Sequence, residues 1–237
     1  MRRVCQAHGA NLLRIEPQWP DDAATVGALE SLGFAAGHQR IMPPRTMLVD
    51  LARSPEAIWK SFHSNARNRV RLALKRGVAV RVGTADDVTT FARLMTATVR
   101  RHGLAIDPSQ QSVAAARVFP SDAMRVFIAR AAGADIAGIV ALACGATTTY
   151  LWGATASTDE ARRVHPNQLL QWTAMQWARD RGCAIYDLFG IPDHNAAQLE
   201  AEYPHRNDGM WNLYRFKRGF GGRVHRHVGT FDCRLPA

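Results

Sequence analysis

Only three of the thirty basic residues are lysines, Lys60, Lys75 and Lys217, in a chain whose default cation is arginine. A lysine in such a background can do what a guanidinium cannot, because its compact ammonium approaches a reacting atom closely and can give up its proton. Lys217, in Tyr214-Arg215-Phe216-Lys217-Arg218-Gly219, has the most unusual surroundings of the three; otherwise it is a surface lysine on a basic terminal helix. Arg67, Arg69 and Arg71 alternate along a helical pattern and cannot all share one face at 3.6 residues per turn. One or two of them can meet a diphosphate or a nucleic-acid backbone, the others being solvated. Tyr150 and Trp152, two apart on a strand, are expected on one side of it, as an aromatic wall for a nucleotide or sugar or equally as a core face. Asp187 after Tyr186 on a buried strand reads as a structural carboxylate paired with an arginine or a helix end. His225 and His227 share a face, but no third ligand type lies nearby and no metal site is expected.

The surroundings of these residues are basic. Residues 57–85 hold seven cationic side chains and no acid, and residues 209–231 hold five and no acid. The other 18 basic residues face 20 acidic ones, so two segments carry the net charge of +10. Such patches attract polyanions: nucleic acid, nucleotide diphosphates or an anionic membrane face. A solvated basic helix is the plainer alternative.

A chain of 237 residues with 47% apolar and 21% charged residues can bury a core, which excludes a disordered or collagen-like protein. No apolar run approaches the ~18–20 residues that span a bilayer, and the basic start lacks an apolar stretch after its charges, so a cytoplasmic protein is expected. Cysteines at 5, 144, 183 and 233 form no CxxC pair and read as reduced, structural thiols.

The elements that must position the candidate residues follow from periodicity and punctuation. Strands are expected over 12–16, 45–51 and 78–82, and helices over 21–32, 64–76 and 85–102, with Ser54-Pro55-Glu56 opening a further helix. A looser helix covers 109–118. Three tightly connected strands follow at 124–131, 136–143 and 147–153, then a helix from Pro166 to 181, a buried strand over 184–191, a helix over 210–220 and a strand over 224–231. This α/β order, a mixed sheet with helices on both faces, is that of a GCN5-related N-acyltransferase (GNAT) fold.

Particular words carry a closer likeness. Pro44-Arg45-Thr46-Met47-Leu48-Val49-Asp50-Leu51, Asn65-Ala66-Arg67-Asn68-Arg69-Val70-Arg71-Leu72-Ala73 before Gly77-Val78, Tyr150-Leu151-Trp152-Gly153-Ala154, Tyr186-Asp187-Leu188-Phe189-Gly190-Ile191 and Tyr214-Arg215-Phe216-Lys217-Arg218-Gly219-Phe220-Gly221-Gly222 stand in the order found in the FemABX peptidyltransferases, and the chain resembles that family along nearly its whole length. The resemblance implies one complete GNAT-like domain, 54–228, plus a partial first one, 1–53, completed by 229–237. About 50 residues precede the second domain where a full unit needs roughly 90–100 more, so the chain is expected to lack the N-terminal part of its first domain. Residues 1–50 should then expose Leu, Ile and Val, and the uncovered face should favour self-association.

The resemblance also implies a reaction: transfer of an amino acid from aminoacyl-tRNA, as co-substrate and with no cofactor, to the stem-peptide amine of a lipid-linked or UDP-linked peptidoglycan precursor, with peripheral contact to the inner membrane face. Lys217 aligns with the lysine this family places at the transferred carbonyl, and Phe216 beside it is counted with the substrate-binding residues, as are Arg67, Arg69, Tyr150 and Trp152. Glu16, where relatives carry an aspartate, could orient or deprotonate the amine, or be a solvated loop residue. Two other readings remain. An acyl-CoA-dependent GNAT enzyme needs a glycine-rich pyrophosphate loop after the third meander strand, where Ala154-Thr155-Ala156-Ser157-Thr158-Asp159 stands instead. A non-catalytic RNA-binding remnant would keep only the basic patches.

Overall fold

The structure, a computed structural model, describes residues 2–83, 87–102, 108–120 and 122–235. In chain order the elements are α1 (Arg2–Ala7), β1 (Leu12–Ile15), α2 (Ala23–Ser31), β2 (Ala35–Ala36), β3 (Arg45–Asp50), α3 (Pro55–Ser61), α4 (Ser64–Lys75), β4 (Ala79–Val82), α5 (Asp87–His102) and α6 (Pro108–Val118). They continue with β5 (Met124–Ala131), β6 (Ala134–Cys144), β7 (Thr147–Thr155), α7 (Asp159–Val164), α8 (Pro166–Asp180), β8 (Ile185–Ile191), α9 (Ala196–Glu202), α10 (Trp211–Arg218), β9 (Arg223–Arg226) and β10 (Phe231–Arg234). Local chemistry sets the ends. The Ser54 hydroxyl accepts from the Ala57 amide ahead of Pro55 in the first turn of α3, and α4 stops at Gly77, whose φ of +73° suits a residue without Cβ. The start expected at 85 for α5 falls partly outside the described residues.

Two compact units share the chain. The larger comprises 48–188 and 216–222, the smaller 1–47, 189–215 and 223–237. This division differs from the one expected at 54 and 228. Residues 189–215 group with the first segment because Asp193 accepts from Arg40 at 3.0 Å and from Arg45 at 2.9 Å, and because Trp211, Tyr214, Tyr203 and His194 pack on one another.

In the larger unit the strands run β4-β5-β6-β7, antiparallel throughout, followed by β8 and β3. Strand alternation sorts the core. Val126 and Ile128 face Phe91 and Met95 of α5, whereas Phe127 between them meets Trp177 of α8 edge-on at 5.7 Å. Helices therefore cover both faces. β7 pairs with β8 in parallel over three residues only, Thr147↔Ile185 to Thr149↔Asp187.

In the smaller unit β1-β10-β2 form a three-stranded antiparallel sheet over Leu13, Cys233 and Leu235. The single strand expected over 224–231 is two strands in two sheets, β9 beside β3 and β10 beside β1, since Gly229 at φ +89° turns the chain between them. Leu12, Leu32 and Ile41 are exposed, whereas Leu48 of β3 and Leu51 just after it are buried.

Candidate active site

The site is set by a kink in strand register. Against β6, Val140 pairs with Trp152 but Ala141 pairs with Tyr150, so β7 carries one extra residue, a bulge at Leu151. Adjacent residues of β6 face opposite ways, and so must their partners. Trp152 joins Val140 on the face of Phe91 and Met95, and Tyr150 turns to the other. The shared aromatic wall expected of these two side chains does not form: Trp152 is a core residue, and Tyr150 alone takes part in the candidate site.

There it meets Lys217, brought by the last turn of α10. The ammonium lies 5.9 Å from the centre of the Tyr150 ring, within cation–π reach. The chain after Lys217 is firmly held. Phe220 packs edge-on against Phe62 at 5.2 Å and against Phe216 at 5.2 Å, and the His63 amide donates to the Gly219 carbonyl at 2.9 Å. Phe216, expected to touch substrate, is partly exposed and helps to anchor this turn.

Lys217 is only 4% exposed, and Asp187, at the last β7–β8 pair, only 1%. Burial pushes the Lys217 ammonium down to about 7, against the opposing pull of the Asp187 charge. Burial likewise pushes the Tyr150 hydroxyl up to about 12. Tyr186 rises well above its ordinary value, from burial first and then the charges of Tyr150 and Asp187, and it donates to Gln171 Oε1 at 2.8 Å. The Gln171 Nε2 is buried with no hydrogen-bond partner. These five residues make a polar group inside an apolar unit. Its lysine can be cationic or neutral near pH 7, which suits a reaction that builds and discharges negative charge on a carbonyl oxygen.

The other expected residues are placed elsewhere. Glu16, following β1, accepts from the Ile41 and Met42 amides at 2.7 Å each and from the Thr230 hydroxyl at 2.6 Å. Burial raises its pKa, but these hydrogen bonds and Arg14 outweigh it and the net shift is downward. A carboxylate so held is a weak proton acceptor, and its visible work is to tie a turn to the last strand. Arg67 donates to the carbonyls of Phe62 and, at 3.1 Å, Lys60, closing the end of α3 rather than reaching outward. Arg71 lies over the Trp59 ring at 5.5 Å. Arg69 stands near His165, whose pKa is lowered by burial and by the charges of Arg69 and Arg76. Sequence reasoning sets aside Asp187 and does not single out Gln171, Tyr186 or Gly153. The word Tyr186-Asp187 is visible, but nothing local says that α10 returns beside it.

Comparison with known proteins bears on the family and the fold. The acetyltransferase (GNAT) domain family matches residues 60–203. The lipid II:glycine glycyltransferase of Staphylococcus saprophyticus is 23% identical over 99% of this chain and 71% of its own length, and that of Staphylococcus aureus is 24% identical over the same shares. Among solved structures, FemX superposes with a TM-score of 0.77 at 21% identity, covering 98% of this chain and 74% of FemX. The C-terminal domain of a putative lysylphosphatidylglycerol synthetase from Agrobacterium fabrum gives 0.60 at 14% identity, covering 97% and 70%. The fold is GNAT-like, with a mixed sheet. The chain belongs to the acetyltransferase (GNAT) domain family, and within it is FemX-like along nearly its whole length.

Proposed function

We propose that the protein is an aminoacyltransferase that moves an amino acid from aminoacyl-tRNA to the stem-peptide amine of a lipid-linked or UDP-linked peptidoglycan precursor. The observation that carries this reading is the buried Lys217 beside Tyr150 and Asp187, in a chain similar along nearly its whole length to 71% of the length of proteins named lipid II:glycine glycyltransferase.

The chemistry is aminolysis of an ester. The amine nitrogen attacks the ester carbonyl carbon, a C–N bond forms, the C–O bond to the tRNA ribose breaks, and the proton lost by the amine ends on the departing ribose oxygen. The cationic form of Lys217 faces the oxyanion of the tetrahedral intermediate, a contribution typically worth roughly 3–4 kcal/mol of barrier. Asp187 favours that cation, and the apolar surroundings strengthen its effect on the oxygen. The ester is already activated, so the step needs no cofactor. Of the α4 arginines, Arg69 and Arg71 serve the phosphates of tRNA or precursor, Arg67 being engaged with carbonyls. Among the described residues no helix is long and apolar enough to cross a membrane, and a donor found in the cytoplasm places the reaction there, at the inner membrane face when the precursor is lipid-linked.

The test is transfer of a radiolabelled amino acid by the whole chain. Label should move from charged tRNA to precursor, and Lys217→Ala and Lys217→Arg should both cut the rate strongly. Transfer from acyl-CoA and none from aminoacyl-tRNA would overturn the reading in favour of a CoA-dependent acyltransferase. RNA binding without transfer from either donor would overturn it in favour of a binding remnant.

A further inference from the structure

Gly153 stands inside β7 with no positive φ, so backbone conformation does not call for glycine there. Glycine inside a strand costs roughly 0.5–1 kcal/mol against alanine. Space accounts for it. Because the bulge restores phase, Tyr150 pairs with Ala141 and Gly153 with Ile139, two residues on one face of β6, so Tyr150 and Gly153 share a face although they are three apart. The Tyr150 side chain lies along the strand towards Gly153. A Cβ at 153 would overlap the Tyr150 hydroxyl oxygen and stand 3.0 Å from ring carbon Cζ and 3.2 Å from Cε2. The same ring has the Lys217 ammonium 5.9 Å from its centre.

We propose that Gly153 is a positioning residue for Lys217: the notch left by its missing side chain seats the Tyr150 ring, and the seated ring fixes and covers the ammonium. Two contacts of one ring carry this, the overlap with a Cβ at 153 and the approach of Lys217 Nζ. Burial and the opposing charge of Asp187 on β8 set the Lys217 charge, and the titratable ring of Tyr150 on β7 faces the same ammonium. What Lys217 does in catalysis rests on the transferase reading; how it is held does not.

The experiment reads the two separately. With three lysines in the chain, 13C-lysine labelling gives three Cε resonances, and the one missing from Lys217→Arg is assigned to Lys217. In Gly153→Ala the displaced ring admits water, which favours the charged amine, so the midpoint of that resonance should move upward by about one pH unit or more. In the transfer assay kcat should fall about tenfold or more, with KM for aminoacyl-tRNA little changed. The double variant Gly153→Ala/Tyr150→Phe lacks the oxygen that the new methyl group meets and keeps only the contacts at Cζ and Cε2, which a shift of a few tenths of an ångström relieves, so it should recover most of the way to the wild-type midpoint. Tyr150→Leu, which leaves Gly153 intact and removes the ring, should move the midpoint upward as Gly153→Ala does. An unmoved midpoint in Gly153→Ala or in Tyr150→Leu overturns the proposal, as does a shift that is undiminished in the double variant. The expected shift with its recovery supports the proposal whether or not transfer is detected, and absence of transfer in the wild type then counts against the transferase reading alone.

Discussion

The Thr230 hydroxyl donates to Glu16 at 2.6 Å across 214 positions of sequence, and the same carboxylate takes both amides of the Ile41-Met42 pair. One side chain therefore ties the end of β1, the turn before β3 and the approach to β10. Its three donors leave no role for a glutamine. An amide in place of the carboxylate would set a donor against one of them, leaving a polar group unsatisfied at about 1–3 kcal/mol. Glu16→Gln should lower stability by that amount in urea unfolding while leaving the Lys217 titration unchanged. In the wild type the Glu16 pKa is depressed, so the contribution of its carboxylate is full above the ordinary value of 4.5 and fades as pH falls below it. A Glu16→Gln variant as stable as the wild type at pH 7 would return Glu16 to the candidate catalytic residues.

Arg67, Arg69 and Arg71 separate by what their neighbours already use. Arg67 closes α3 through two carbonyls, so Arg67→Gln should act mainly on stability. Arg69→Gln and Arg71→Gln should each weaken binding of single-stranded tRNA ends and lower the slope of log K against log salt by about 0.7 for each phosphate no longer neutralised. Fluorescence anisotropy over a salt series distinguishes the three. An equal reduction of slope in Arg67→Gln would show that its hydrogen bonds to the two carbonyls give way when RNA binds.

Much of this architecture is legible locally. Ser54-Pro55, Gly77 and Pro166 mark helix ends by their own chemistry, and the 124–153 meander declares itself by its tight turns. Lysine scarcity singles out Lys217, which the structure buries. What sequence cannot give depends on a partner strand or a distant return. The bulge at Leu151 exists only in the pairing with β6, so parity along β7 puts Tyr150 and Trp152 together when they point apart. Asp187 reads as structural until α10 comes back beside it some 30 residues later.

The parting of Tyr150 and Trp152 is itself testable. Trp152 packs with the α5 core, so Trp152→Ala should destabilise by up to about 3 kcal/mol, somewhat below a fully buried tryptophan because it is partly exposed. It should leave the Lys217 midpoint in place. Tyr150→Leu should do the reverse, moving the midpoint at smaller cost to stability. Chemical denaturation and the lysine titration on both variants check the pair, and a Lys217 shift in Trp152→Ala would mean that the two rings act on one face after all.

Burial of Lys217 leaves a mark on stability that needs no substrate. Its pKa is about 7 folded and 10.5 ordinarily, so between those values the unfolded chain holds a proton that the folded chain lacks. Stability must then rise with pH across that window, and the full cost of burying the cation is felt below pH 7. At 1.36 kcal/mol per unit the rise is about 3–5 kcal/mol by pH 10.5. Other groups titrate too, so the measurement is a difference. Lys217→Met removes this one titration, and any constant effect of leaving Asp187 without its cation cancels from the slope. The unfolding free energy of the wild type minus that of Lys217→Met should therefore climb steadily from pH 7 to 10. A flat difference would mean that the folded Lys217 keeps its proton as readily as the unfolded one, and that its ammonium is a permanent charge rather than one poised to come and go.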